Sequence, residues 1–345
     1  MKKRIAFFSA CLALLWLLQC LLCPKYMAQN QEGALIGEYY GSAGCNDVIF
    51  IGDCEVYENF SPITLWEEYG ITSYIRGSPQ QTIWQSYYLL EEMFRYETPK
   101  VVVFNVLSMK YDTPESTGNQ SRREAYNRMT LDGMRWSSSK IKAIAASMTE
   151  EEKEWESLFT YLFPIFRYHS RWSQLTREDF TNLFRRDTVG INGYLMQSGV
   201  KSAGDAYTEA PLTDYTFGEN SYSYLDKITA LCKEHGAKLL LIKAPSLSPV
   251  WWPEWDAQMV RYAEDRSLTY INLLSHQEEI GIDWNTDTYD AGLHLNVYGA
   301  EKAARWLGRI LSEDFQVPDR REEAEISRKW AEKIRNYNTQ KQSKE

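Results

Sequence analysis

The sequence has few cysteines and histidines for its length, and their spacing is not that of a metal site. Only six of 345 residues are cysteine and four are histidine. Three of the cysteines lie in one apolar run, so only Cys45, Cys54 and Cys232 remain outside it. This odd number forms neither a disulfide framework nor the paired spacings of a zinc site, and the histidines do not cluster in sequence. The sequence therefore predicts neither a metal site nor a cofactor.

The chain also lacks an excess of positive charge. Its 38 Lys and Arg residues stand against 47 Asp and Glu residues, which gives a formal net charge of -9. A protein that binds the phosphate backbone needs a net basic face, so nucleic acid is excluded as an expected partner. A hydrophobic content of 44%, with 12 Trp, 23 Tyr and 13 Phe, also excludes disorder for most of the chain.

Only one apolar run is long enough to cross a membrane. It extends from Ile5 to Cys23 without a charge, after three basic residues at positions 2–4. A helix of this length spans about 28 Å, whereas the apolar stretch of a cleaved signal peptide has only about 7 to 15 residues. We therefore favour a retained anchor over a signal peptide for residues 1–25. The positive-inside rule then places residues 26–345 outside the cytoplasm, on a single-pass protein of the cell membrane, or on a secreted one if the segment is cleaved.

Short β-branched runs alternate with amphipathic helical patterns in the rest of the chain, as expected for an α/β fold. The predicted strands are residues 48–52, 73–77, 101–107, 238–245 and 268–274, and the predicted helices are residues 80–96, 222–235, 254–265 and 297–312. The strands are apolar almost throughout, which is typical of a parallel sheet covered by helices on both faces. We predict a flavodoxin-like sheet, with a helical insertion at about 112–220 and a charged surface helix at about 317–345.

Two segments contain residue types that carry out acyl transfer. Gly52-Asp53-Cys54 follows the first strand, and Asp290 precedes His294, Asn296 and Gly299 just before the last long helical pattern. A thiol at a helix start beside an imidazole is a good nucleophile, because the helix dipole and the cation favour the thiolate. A carboxylate would orient that imidazole.

These two segments resemble the SGNH/GDSL hydrolase superfamily, in which a Gly-Asp-Ser turn follows strand one and an Asp-x-x-His pair precedes the last helix. The resemblance extends from about Asp47 to Leu311, and it is nearest to the membrane-anchored branch that includes the D-alanine-transfer protein of teichoic acid modification and the alginate acetyltransferase relatives. It implies Cys54 as nucleophile, His294 as base and Asp290 as orienting carboxylate. Gly77, Asn105 and the backbone N–H of Cys54 would then be the oxyanion donors.

The sequence departs from this pattern in three ways. Cysteine replaces serine, the Asp-to-His spacing is four rather than three, and the third strand lacks the Gly-x-Asn-Asp of the family. A bulge at Gly292 would absorb the spacing; otherwise Asp287 would serve in place of Asp290. Cys54 is also consistent with a buried structural thiol, or with a disulfide to Cys45 or Cys232. The neighbouring acids, Asp53 and Glu55, would oppose its ionisation.

Three further residues are candidates for substrate binding. His169 and Arg171 lie in an aromatic and basic hexapeptide that would suit an anionic or sugar substrate, and Lys243 lies near the end of the fourth predicted strand. The alternatives are a helix end packed against its neighbours and a lysine paired with an acid. Trp251, Trp252 and Trp255 would form either a sugar-stacking platform or ordinary core.

The resemblance and the anchor together predict an extracytoplasmic acyl-ester hydrolase or acyltransferase that acts on an O-acylated cell-surface glycan. Its partners would be that glycan or an acyl donor, with a membrane acyltransferase as a protein partner. The alternative is a catalytically inactive protein of the same fold that binds a glycan or a partner at the surface.

Overall fold

The computed structural model describes residues 1–23, 31–184, 188–204 and 208–344. Its centre is a sheet of five parallel strands in the order β2-β1-β3-β4-β5. The strands are β1 (Val48–Gly52), β2 (Ser73–Gly77), β3 (Val101–Asn105), β4 (Lys238–Lys243) and β5 (Thr269–Asn272). The predicted parallel sheet is confirmed, but β3, β4 and β5 end earlier than predicted. After β3 the apolar run continues as a 3-10 helix over Val106–Lys110, which an apolar pattern does not distinguish from a strand.

Helices precede, connect and follow the strands. They are α1 (Lys2–Leu22), α2 (Leu35–Glu38), α3 (Cys54–Tyr57), α4 (Pro62–Tyr69), α5 (Ile83–Met93), α6 (Gln120–Leu131), α7 (Ser138–Ala146), α8 (Trp155–Leu162), α9 (Ile165–Tyr168), α10 (Arg177–Phe184), α11 (Glu219–Glu234), α12 (Pro253–Arg266), α13 (Gln277–Ile280), α14 (Val297–Glu313) and α15 (Ala324–Lys344). Helices α6 to α10 lie within the stretch predicted to be a helical insertion. The four helices predicted between and after the strands correspond to α5, α11, α12 and α14, with bounds that differ by at most three residues.

The strands are apolar throughout because both faces of the sheet are covered. Alternate residues of β1 point to opposite faces, so Ile49 and Ile51 belong to one hydrophobic core, and Val48 and Phe50 to the other. The first core includes residues of α5, α11 and α12, and the second includes residues of α4, α14 and α15. On the second face α14 lies very close to α4, where a Cβ on Gly308 would be 2.6 Å from the Tyr69 ring.

The carboxy-terminal helix α15 is part of the second core and does not lie loosely on the surface. Trp330 stacks on Trp66 of α4, with ring centroids 5.0 Å apart. Tyr337, the other buried aromatic residue of α15, is also part of this core. The high charge of this segment had indicated a surface helix, and its apolar stripe is what fixes it to the domain.

The amino-terminal helix α1 is long and apolar enough to cross a membrane, and most of its side chains are exposed in the structure. It contacts the domain through α9, α10 and the 3-10 helix His169–Gln174. There the Arg171 guanidinium donates a hydrogen bond from Nη1 to the carbonyl oxygen of Leu22, at 2.6 Å.

Candidate active site

Cys54 is the first residue of α3, directly beyond the carboxyl end of β1. The turn that places it there needs Gly52, whose φ of +156° and close contact with Asn105, 3.0 Å from a Cβ built on Gly52, leave little room for a side chain. Asp53 then caps α3, because its Oδ1 accepts a hydrogen bond from the backbone N–H of Glu55 at 3.2 Å. Ligands bind beyond the carboxyl ends of parallel strands, so Cys54 lies at the edge where chemistry is expected.

His294 lies in the loop before α14 and is held by Asp290. The imidazole Nδ1 is 2.7 Å from Asp290 Oδ2, and the backbone N–H of His294 donates to Asp290 Oδ1 at 2.8 Å. The extra residue between them is accommodated by a left-handed turn, with φ of +66° at Ala291 and +94° at Gly292. This is the bulge that the four-residue spacing required.

The other candidate carboxylate is engaged elsewhere. Asp287 Oδ2 accepts hydrogen bonds from Lys302 Nζ at 2.6 Å and from the backbone N–H of Asp283 at 2.7 Å. Asp290 is therefore the aspartate that contacts His294.

The fold brings Cys54 and His294 together. The two side chains are near enough for each to shift the pKa of the other. Because Nδ1 faces Asp290, Nε2 is the nitrogen available to the thiol, which is the order of groups in a nucleophile–base–carboxylate triad. Cys54 is partly accessible, and Cys45, Cys54 and Cys232 are all free thiols, so the structure contains no disulfide at Cys54.

Glu58 is a second carboxylate at the imidazole, and the sequence analysis missed it. Its Oε2 lies 3.1 Å from His294 Nδ1 and accepts a hydrogen bond from the Tyr289 hydroxyl at 2.9 Å. The Glu58 side chain is only 4% exposed. Its position four residues after Cys54 was a signal in the sequence that the two residues lie on one face of a helix. The structure shows the corresponding backbone hydrogen bond, from Glu58 N to Cys54 O.

Burial and the carboxylates shift the pKa values of the site in opposing ways. Burial raises the pKa of the Cys54 thiol, as do the charges of Asp53 and Glu58, while His294 lowers it. Burial lowers the pKa of His294, but Cys54, Asp290 and Glu58 outweigh it and raise that pKa well above its ordinary value. Burial also raises the pKa of Glu58 to about 7, against the lowering effect of His294. Burial and the two acids therefore disfavour the Cys54 thiolate, whereas Asp290 and Glu58 favour the charged form of His294.

A buried polar network lies behind Cys54. The Lys243 ammonium is fully buried and donates to both oxygens of Glu55, at 2.9 and 3.0 Å, and to the carbonyl of Ala244 and the hydroxyl of Ser246. Glu55 is therefore paired with Lys243, and the acids that raise the pKa of Cys54 are Asp53 and Glu58. Of the two alternatives for Lys243, a substrate ligand or a lysine paired with an acid, the structure shows the second. Its three N–H donors all form hydrogen bonds inside the protein.

Asn105 belongs to the same network. Its Nδ2 donates to Asp53 Oδ1 at 3.1 Å and to Glu55 Oε2 at 2.9 Å, and its Oδ1 accepts from the backbone N–H of Ala244. Both amide hydrogens are engaged, so a role as oxyanion donor would require one of these hydrogen bonds to break. Gly77 is buried at the end of β2 opposite Gly52, where a Cβ would lie 3.0 Å from the Tyr57 ring.

The remaining substrate-binding candidates lie in the insertion, beside α1. The His169 imidazole is exposed, with Nδ1 2.8 Å from the carbonyl oxygen of Phe166. Arg171 binds Leu22 and pairs with Asp179 at 2.8 Å. Neither contact involves the Cys54–His294 pair. Trp251 and Trp255 are mostly buried core residues, which leaves little ring surface for sugar stacking.

Within the described residues, no group of three or more His, Cys, Asp or Glu side chains is arranged to hold a metal ion. Comparison with models of known protein families finds no family that matches the chain, and comparison with curated proteins finds no match.

Proposed function

We propose that the protein is an extracytoplasmic acyl-ester hydrolase or acyltransferase that uses Cys54 as nucleophile, His294 as general base and Asp290 as orienting carboxylate. The observation that carries this proposal is the His294 imidazole, which Asp290 Oδ2 holds at 2.7 Å from Nδ1 and which lies beside the Cys54 thiol. A histidine fixed in this way can remove the thiol proton in the transition state, and the carboxylate stabilises the imidazolium that results.

The proposed reaction has two steps. His294 takes the proton of Cys54, and the sulfur attacks the ester carbonyl carbon; the C–O bond then breaks and His294 protonates the departing alkoxide, which leaves a thioester on Cys54. In the second step His294 deprotonates water or an acceptor hydroxyl, which attacks the thioester and restores the thiol. The backbone N–H groups of Cys54 and Gly77 are the proposed oxyanion donors.

The strand order and the positions of the two segments support the SGNH resemblance. The order 2-1-3-4-5 is flavodoxin-like, and Cys54 follows the first strand while His294 precedes α14. We further propose that α1 anchors the domain outside the cell and that the substrate is an O-acyl group on a cell-surface glycan. These parts rest on the resemblance and on the apolar character of α1.

Hydrolysis of p-nitrophenyl acetate by the full chain in detergent tests the nucleophile. Cys54→Ala should lower kcat/KM by at least about 100-fold, since it removes the covalent step. Cys45→Ala, which removes an exposed free thiol, is the matched control and should retain full activity. Unchanged turnover in Cys54→Ala would exclude Cys54 as the nucleophile.

A second candidate function is a catalytically inactive glycan- or partner-binding protein. The observation that favours it is the electrostatic surroundings of Cys54, because burial, Asp53 and Glu58 all disfavour the thiolate. The side-chain amide of Asn105 also favours it, because both amide hydrogens are already donated to Asp53 and Glu55. Retention of a glycan on an array, with no ester hydrolysis by the wild-type chain, would support this function over the first.

A further inference from the structure

An exposed group of aromatic side chains lies on the helical insertion. We call it the aromatic patch, and it consists of Phe163, Phe166, Trp172, Phe180 and Phe184. Trp172 is 72% exposed and Phe184 is 91% exposed, which is unusual for side chains of this size. Soluble proteins seldom leave several large apolar side chains together in water, so such a patch indicates a surface that another phase or molecule covers.

The elements that carry most of the aromatic patch contact α1. Of the elements that contain it, α9, α10 and the 3-10 helix His169–Gln174 contact α1 directly. The Arg171 side chain fixes this arrangement, since it binds the carbonyl oxygen of Leu22, the last residue of α1, and pairs with Asp179 of α10. If α1 spans a bilayer, its last turn lies at the membrane surface, and the aromatic patch lies at the same level.

Two of the three arginines in residues 157–184 are already paired with carboxylates. Residues 157–184 contain three arginines and two acidic residues. Arg171 pairs with Asp179, and Arg167 pairs with Glu124 of α6 at 2.9 Å. A basic surface attracted to anionic lipid would need a cluster of unpaired cations, whereas tryptophan and phenylalanine enter the headgroup region through their rings.

We propose that the aromatic patch docks onto the outer leaflet of the membrane that α1 crosses, and that its rings enter the interfacial region of zwitterionic lipid. The inference rests on the proposed anchoring by α1. Lipid is the expected partner of the aromatic patch because the elements that carry the patch contact the helix that crosses the membrane. The insertion then acts as a second attachment, which holds the catalytic domain in a fixed orientation over the membrane.

Depth-dependent fluorescence quenching tests this proposal. The full chain is reconstituted into phosphatidylcholine vesicles whose lipids carry bromine at either shallow or deep acyl positions. The difference between wild type and Trp172→Phe isolates the emission of the patch. The difference between wild type and Trp16→Phe isolates that of α1, where Trp16 is 62% exposed. Trp306→Phe, a partly buried tryptophan of α14, is the matched control.

We expect the Trp172 emission to be quenched, more by shallow than by deep bromine, and with no dependence on salt. The Trp306 emission should not be quenched. Quenching of Trp16 without quenching of Trp172 would overturn the docking proposal and leave the anchor intact, and would indicate a protein partner for the patch. Absence of quenching at both positions would overturn the anchor and the docking together.

Discussion

Replacement of Glu58 by glutamine should lower the pKa of both His294 and Cys54. Glu58 Oε2 lies 3.1 Å from His294 Nδ1, and an opposite charge at this distance raises a histidine pKa by about 1 to 3 units. Glu58 also accepts a hydrogen bond from the Tyr289 hydroxyl, and Asp290 contacts the same imidazole nitrogen, so we expect the lower end of that range. Glu58→Gln should therefore lower the His294 pKa by about 1 unit, which corresponds to about 1.4 kcal/mol.

NMR titration of the imidazole protons measures this shift directly, since the chain contains only four histidines. The His294 resonance is identified by its loss in His294→Gln. Glu279→Gln is the matched control, because Glu279 Oε2 lies 3.1 Å from Nδ1 of the exposed His276 and should leave the His294 titration unchanged. A His294 pKa that is unchanged or higher in Glu58→Gln would refute the electrostatic role given to Glu58.

The same variant should change the pH dependence of stability. A carboxylate whose pKa rises from 4.5 to about 7 on folding favours its protonated form in the folded state, so it destabilises the fold increasingly as pH rises from about 4.5 to about 7. Glu58→Gln removes this penalty. Its Tm should exceed that of wild type at pH 8 and equal it at pH 4, as measured by thermal unfolding; a lower Tm at pH 8 would contradict the direction of the shift.

Three further substitutions test the site and its support. Asp290→Asn should lower kcat/KM for p-nitrophenyl acetate by at least about 100-fold, because the imidazole loses the group that orients it; near wild-type activity would exclude Asp290 from the triad. Lys243→Met should cost about 3 to 5 kcal/mol in urea unfolding, because it leaves Glu55 buried without a counter-charge; a cost under 1 kcal/mol would contradict the network. Trp330→Ala should cost about 3 to 5 kcal/mol in the same assay if α15 is core, and almost nothing if it is a surface helix.

The sheet was predictable because a parallel strand buried on both faces is a continuous apolar run. This property is local, so β1 and β2 match the predicted residues 48–52 and 73–77. Strand ends were less predictable, since Val106 and Leu107 are as apolar as β3 although they form a 3-10 helix. Most residues of α15 are exposed, as a charged surface helix predicts, but its high charge did not indicate how firmly Trp330 and Tyr337 attach it to the domain.

The contacts between Cys54, His294 and Asp290 could be anticipated because these residues stand at positions that the resemblance defines. The buried ion pairs could not be anticipated from the sequence. Glu55 finds Lys243 nearly two hundred residues away, and only the three-dimensional arrangement shows which acid faces the thiol and which is neutralised. For the same reason Glu58 was missed, since its partner His294 is remote in sequence.

The role of Cys54 as nucleophile is tested most directly by identifying the residue that carries the acyl group. The chain is incubated with an acetyl ester, quenched in acid, digested and examined by mass spectrometry. If Cys54 is the nucleophile, an acetyl group is found on the peptide that contains Cys54, is removed by hydroxylamine as a thioester is, and is absent from His294→Gln. Ester turnover with acetyl on another residue, or turnover that persists in Cys54→Ala, would contradict this role.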